Sequence, residues 1–222
     1  MIYNVLTLYP EMIEAYKEVG IIGRGVKSDR LQINAINIRD YSKDKHKRVD
    51  DEIYGGGAGM LMKAEPVYDC VKDIKKDRDV PVIYFSPRGR TFNSEIAKEY
   101  ANLDEVILLC GHYEGIDQRA VDLCVDEEIS IGDYILTGGH IASMVFMDTV
   151  SRYVDGVLGN SESYQNESFE DGLLEANQYT RPEEFMGMKV PEVLMSGHHK
   201  KIEEYYKEEA LKETKIRRED LL

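Results

Sequence analysis

EVILLCGHYEGID, residues 105–117, runs four consecutive apolar side chains, Val106 to Leu109, into a Cys-Gly pair and a second glycine at Gly115. An unbroken apolar run of that length, closed by glycine, reads as a strand buried on both faces, over residues 105–111. A short helix is expected to follow over residues 116–123. Strand, glycine-bearing loop and helix in that order make the repeating unit of a parallel sheet covered by helices.

The same unit recurs in both directions. Upstream, PVIYFS (residues 81–86) is strand-like and precedes a helix over residues 93–100. Further upstream, an apolar run at residues 2–8 leads to a helix with Pro10 and Glu11 in its first turn. A strand-like run at residues 31–38, a glycine cluster and a helix over residues 64–76 come next. Downstream, IGDYILTGGH (residues 131–140) reads as an apolar, tyrosine-bearing strand entering a double glycine, and then a helix over residues 141–153. The polar stretch GNSESYQNESFEDG (residues 159–172) reads as a linker. Beyond it, Ile202, Tyr206 and Ala210 recur at i, i+4 spacing, as in an amphipathic helix. The expected organisation is an α/β domain with a parallel sheet over residues 1–158, a linker over 159–171 and a small helical domain over 172–222.

Composition limits the functions open to such a chain. Its 222 residues, 42% of them hydrophobic, suit one sizeable core with a small appendage. No segment reaches the roughly 18 apolar residues of a membrane span, and MIYNVLTLYPEM lacks the charged and small-residue regions of a signal peptide. A soluble, cytoplasmic protein is expected. Cys70, Cys110 and Cys124 are odd in number and set in apolar contexts, which suits reduced, buried thiols better than disulfides or a zinc ribbon. A net charge of −14 argues against nonspecific coating of nucleic acid. A polyanion has to be met by local clusters such as KDKHKR (residues 43–48), KIRR (residues 215–218), and Lys200 with Lys201. Each cluster taken alone also reads as a solvated face.

Three short glycine-bearing loops stand at strand ends: SPRGR (residues 86–90), CGHYEGID (residues 110–117) and IGDYILTGG (residues 131–139). Neither the dinucleotide-binding G-x-G-x-x-G nor the phosphate-binding G-x-x-x-x-G-K-[ST] pattern occurs. Glycine serves turns, but three such loops on one rim of a parallel sheet also let backbone amides approach a flat ligand closely.

YGGGAGMLM (residues 54–62), SPRGR, CGHYEGID, SIGDYILTGG (residues 130–139), SRYVDGVLGN (residues 151–160), ESFEDGLLE (residues 167–175), QYTRP (residues 178–182) and VPEVLMSGHH (residues 190–199) occur in that order. Together they resemble the bacterial tRNA (guanine-N1)-methyltransferases of the SPOUT superfamily over nearly the whole chain. The resemblance implies a trefoil-knotted parallel-sheet domain that binds S-adenosylmethionine bent within the knot, followed by a small helical domain that binds tRNA. It implies a homodimeric enzyme that methylates N1 of guanosine at position 37, beside the anticodon. By motif position the cofactor pocket falls on Gly111 and on Ile131, Gly132, Asp133, Tyr134, Ile135 and Leu136. Ser86, Pro87, Gly89, Tyr113, Glu114, Gly138 and Gly139 complete it.

N1 of neutral guanine carries a proton, so methyl transfer asks for a base and for a group that stabilises charge growing on O6. The resemblance puts these roles on Glu167 and Arg152. Without it, Glu167 reads as a solvated linker acid and Arg152 as a charge favoured at a helix C-terminus. The family commonly has aspartate at the position of Glu167. Asp155 stands where its motif often has proline, and Arg88 where glutamine is usual. No metal-ligand set is readable, because adjacent His198 and His199 point apart on either a strand or a helix.

Overall fold

The structure, a computed structural model, describes residues 1–159 and 167–222. In chain order its elements are β1 (Ile2–Thr7), α1 (Pro10–Tyr16), α2 (Gly20–Lys27), β2 (Gln32–Asn37), a 3₁₀ turn (Ile38–Tyr41), β3 (Asp50–Glu52), β4 (Met60–Met62) and α3 (Ala64–Lys75). Then follow β5 (Val82–Thr91), α4 (Ser94–Ala101), β6 (Glu105–Leu109), α5 (Gln118–Cys124), β7 (Glu127–Ser130) and α6 (Gly139–Ser151). The last are β8 (Glu184–Phe185), β9 (Met188–Lys189), α7 (Glu192–Met195), α8 (His199–Arg217) and a 3₁₀ turn (Glu219–Leu221). The chain divides into two units, Met1–Gly159 and Asn160–Leu222.

The first unit is an α/β layer structure around a five-stranded sheet of order β2-β1-β6-β5-β7, every neighbouring pair parallel. Strand alternation assigns its side chains to two cores. Tyr3, Val5, Ile83, Phe85, Val106, Leu108 and Ile129 face α1, α2, α4 and α6. Leu6, Val82, Tyr84, Ile107 and Leu109 face α3 and α5. Both faces are covered, which is why β6 shows no polar alternation in the sequence. Cys70 and Cys110 are buried as expected, whereas Cys124 is only half-buried because it lies at the end of α5. Burial pushes the Cys110 thiol up to about 12, well away from reactive thiolate character.

Two sequence expectations are corrected. Residues 131–138 are not a strand: β7 lies just before them, and the Ile131–Gly138 stretch bends across the sheet's end before α6 begins. SPRGR is not a simple loop past β5 either. Phe85 and Arg90 both pair with Ile129, so residues 86–89 are excess chain bulged from a strand that resumes beyond them. Gly89 closes that bulge, because a Cβ there would lie 2.4 Å from the backbone of Glu128 and Ile129.

In the second unit, Met186 and Gly187 at positive φ (49° and 82°) turn β8 into β9, the conformation a two-residue hairpin needs. Gly197 (φ 71°) separates α7 from α8. Along α8, Ile202, Tyr206 and Ala210 are half-buried and Thr214 is buried. The Thr214 hydroxyl accepts from the Leu174 amide at 2.9 Å. Of the stretch expected as a linker, residues 160–166 lie outside the described residues. Glu167 to Gly172 form turns, with the Glu170 amide 3.3 Å from the Glu167 carbonyl.

Candidate active site

A cleft of about 330 Å³ opens at the bulge of β5 and the ends of β6 and β7, the side of a parallel sheet at which ligands bind. Three segments wall it. The first runs from Tyr84 to Pro87, the second from Gly111 to Gly115, and the third from Ile129 through Ile131, Gly132, Tyr134, Ile135 and Leu136 to Gly138, Gly139 and Ala142. Ser86, Tyr113 and Glu114 are on these walls as well. Two residues from the sequence expectation are elsewhere. Gly89 packs on the β7 backbone, and Asp133 does not line the cleft.

Glycine is required here by close approach. The Gly139 amide donates to the Gly111 carbonyl at 2.8 Å, and His112 bridges Gly138 in antiparallel fashion. A Cβ on Gly139 would stand 3.0 Å from Cys110 Cα, and one on Gly111 2.9 Å from the Tyr84 ring. Gly132 holds φ +145°, a conformation L side chains avoid. Its amide donates to Ser130 Oγ at 3.3 Å, and the Tyr134 hydroxyl donates to the Ile131 carbonyl at 3.1 Å, so the loop is braced by its own chain. Tyr134 is 56% exposed and Ile135 80% exposed at the mouth. They form an apolar lip facing the cleft rather than the core.

The glycine cluster of residues 55–59 attaches to the same rim. Glu114 donates its amide to the Met60 carbonyl at 3.0 Å, and its side chain covers Gly59, whose φ is +93°. Arg88 reaches Gln118 Oε1 at 2.9 Å and stands 3.8 Å from Glu128, so this cation is answered by a neighbouring acid. Burial first, and the Glu128 charge second, push the Tyr84 hydroxyl above its ordinary range.

Behind the cleft lies a cluster that sequence reading does not assign. The Tyr9 hydroxyl stands 3.1 Å from His112 Nε2, and the Tyr9 ring meets the rings of His112 and His140 edge-on at 5.1 and 5.4 Å. His112 Nδ1 is buried without a hydrogen-bond partner among the described residues. Burial, and then the proximity of His112, hold His140 below the usual histidine range, which keeps it neutral at pH 7. The available signals are the histidine inside CGHYEGID and the one after the double glycine. Tyr9 carries none, because the parallel topology alone brings it there.

Arg152 caps the C-terminus of α6. The last turn of that helix is held by a buried bond of 2.9 Å between the hydroxyls of Tyr3 and Ser151. Tyr16 adds a hydroxyl donated to Asp148 at 3.0 Å. Glu167 lies in the second unit, half-buried, and lines a cleft of that unit with Asp171, His199, Ile202 and Tyr206. The two residues therefore belong to different units. Among the described residues no group of three or more His, Cys, Asp or Glu side chains forms a metal-ligand set. No described helix is long and apolar enough to cross a membrane.

The family model described as tRNA (Guanine-1)-methyltransferase TrmD matches residues 1–222. A tRNA (guanine-N(1)-)-methyltransferase of Caldanaerobacter subterraneus subsp. tengcongensis is 52% identical over all of this chain and 92% of its own length. One from Finegoldia magna is 48% identical over all of this chain and 94% of its own. One from Clostridium botulinum is 53% identical over 99% of this chain and 90% of its own.

Proposed function

The chain belongs to the tRNA (guanine-1)-methyltransferase family of the SPOUT superfamily, and from that premise we propose that it transfers a methyl group from S-adenosylmethionine to N1 of guanosine 37 in tRNA. The observation that carries the reading is the convergence of Ser86, Gly111, Gly132, Gly138 and Gly139 on one cleft at the sheet's carboxyl end. These glycines let the three walls close on one another with no side chain between them, and the Tyr134 and Ile135 lip offers a flat ring an apolar cover. These features fit an adenosyl group.

When bound, S-adenosylmethionine supplies a methyl already activated on a sulfonium. The remaining chemistry falls to side chains. Glu167 takes the N1 proton, and Arg152 stabilises the negative charge that grows on O6. A carboxylate serves as this base when its site is desolvated or when proton removal accompanies methyl transfer. The target base has to leave its stack to enter a cleft, which the loop position of guanosine 37 makes less costly than in a duplex.

Three further parts of the reading follow from the family. The sheet domain is knotted, in keeping with the return of the chain after β7 to the end of β6, where Gly139 meets Gly111. The enzyme is a cytoplasmic homodimer, so its mass by light scattering is twice the 25.4 kDa of one chain. The sheet domain spans residues 1–158 and holds the cofactor, 159–171 link the domains, and 172–222 hold tRNA. The reading as a whole is tested with labelled S-adenosylmethionine and two tRNA transcripts, one with guanosine at position 37 and one with adenosine there. Methylation of the first alone, at N1 by nuclease digestion and mass spectrometry, is the expected result. Equal labelling of both overturns it.

A further inference from the structure

Arg39, Lys43, Lys45, His46, Lys47 and Arg48 crowd into residues 39–48 of a chain whose net charge is −14. The structure sorts them. Lys43 Nζ lies 2.7 Å from Glu65 and 3.2 Å from Asp69, and Arg48 grips Asp44 at 2.9 Å. Lys45, His46 and Lys47 between them are exposed, and among the described residues no carboxylate forms an ion pair with them. Three basic residues of α8 behave differently: Lys207, Lys212 and Arg217 each pair with a glutamate three or four positions away. That is the pattern of a solvated face, and residues 45–47 lack it.

The loop is also held in one shape. Asp44 Oδ1 accepts from the His46 amide at 2.7 Å, and Ser42 Oγ donates to the Arg48 carbonyl at 2.6 Å. Lys47 adopts φ +57°, and its Nζ reaches the Asp40 carbonyl at 3.3 Å. Ile38 and Val49, both fully buried, anchor the two ends. A path of neighbouring residues joins it to the cleft: Lys47 to Asp40, then Arg39, whose guanidinium stands 3.5 Å from the hydroxyl of the rim residue Tyr113.

We infer that residues 45–47, with Arg39, form a docking track for the phosphodiester backbone of the RNA strand beside the base that enters the cleft. An acidic chain repels a polyanion at long range, so binding has to come from cations fixed in place near the site and left without acid partners. This track has those properties. The inference rests on the reading of tRNA as substrate.

The test is the salt dependence of tRNA binding by the full chain, compared with the double variant Lys45→Ser, Lys47→Asn. Asparagine tolerates the positive φ at position 47. Removing one cation from a phosphate flattens the slope of log Kd against log salt by about one. The double variant is therefore expected to bind about 10-fold or more weakly near 0.1 M salt, with a slope smaller by about one to two. Its affinity for S-adenosylmethionine and its single-turnover rate at saturating tRNA stay at wild-type values. Lys76→Asn removes an exposed cation at another positive φ and serves as the charge control. An unchanged slope in the double variant, while wild type binds and methylates tRNA, overturns the track and leaves the substrate reading standing. An equal change in Lys76→Asn also overturns it, since bulk charge then explains the effect. A wild-type chain that does not bind tRNA overturns the substrate reading, and the track with it.

Discussion

The amide of Gly139 lies 2.8 Å from the carbonyl oxygen of Gly111, which ties the first residue of α6 to the loop that leaves β6. That hydrogen bond joins two walls of the cleft, and the close approach leaves little room for a side chain on Gly139. Gly139→Ala would press a methyl to 3.0 Å from Cys110 Cα, where the neighbour is backbone. A cost of about 1–3 kcal/mol in stability is expected, of the order found for overpacking, with a loss of roughly tenfold or more in S-adenosylmethionine affinity, since a misfit of about 1.4 kcal/mol is already tenfold. Urea unfolding and calorimetric titration read the two effects separately. Wild-type affinity in this variant would remove the start of α6 from the site.

Gly132→Ala meets a different obstacle. The new methyl would lie 2.4 Å from the Tyr134 ring, which can swing away, but φ +145° remains unfavourable for alanine. Cofactor affinity is expected to fall with the displaced Tyr134 lip, and Tyr134→Ala should reproduce most of that fall without the backbone strain. Full affinity in Tyr134→Ala would place the whole effect on the backbone.

Tyr3→Phe removes the hydroxyl that meets Ser151 at 2.9 Å inside the core. A loss of about 1–3 kcal/mol is expected, because the Ser151 hydroxyl is left buried without its partner. Tyr3→Phe combined with Ser151→Ala should cost less than the sum of the two single changes. Strict additivity in denaturant melts would show that the two hydroxyls do not interact.

His140 gives stability a pH dependence of definite sign. Its folded-state value is held below that of the unfolded chain, by burial first and by His112 second. The unfolded state therefore binds the proton more readily. The contribution is complete above the ordinary histidine value of about 6.5 and is lost as pH falls below it. His140→Phe should flatten the dependence of the urea midpoint on pH between about 7.5 and 5.5. An unaltered profile would assign the titration to other groups.

Glu167→Gln should lower the single-turnover methylation rate by roughly 100-fold or more, the scale of a general base, with little change in cofactor affinity. Arg152→Ala should lose at least as much. Glu167→Asp separates reach from charge, since it restores the shorter acid common in the family. Near-normal methylation by Glu167→Gln would return that residue to the role of a surface acid.

Much of the sheet is legible in the sequence because its strands are buried on both faces. Val106 to Leu109 and Val82 to Phe85 are unbroken apolar runs for that reason. The expectation of a strand over residues 131–138 fails for the converse reason. Tyr134 and Ile135 border the cleft and are exposed, and hydrophobicity directed at a cleft looks the same in sequence as hydrophobicity directed at a core. Helix α2 is hidden in the sequence because Gly20, Gly23 and Gly25 suggest a turn. Yet a Cβ on Gly23 would lie 2.6 Å from the Glu18 backbone, and one on Gly25 2.8 Å from Leu31, so two of these glycines serve packing. Tyr9, His112 and His140 meet only through the tertiary fold. Arg152 and Glu167 are singled out by resemblance alone, as no spacing in the sequence connects them.

The double pairing of Ile129, with Phe85 before the bulge and with Arg90 after it, constrains how the gene can change in length. Side chains alternate across a strand, so losing one codon within 86–89 would either shorten the bulge that floors the cleft or turn the strand beyond it over. The second outcome would send Phe92, which packs on Phe146 at 5.1 Å, toward the opposite layer. Natural variation in this segment should therefore proceed by exchange of residues at constant length.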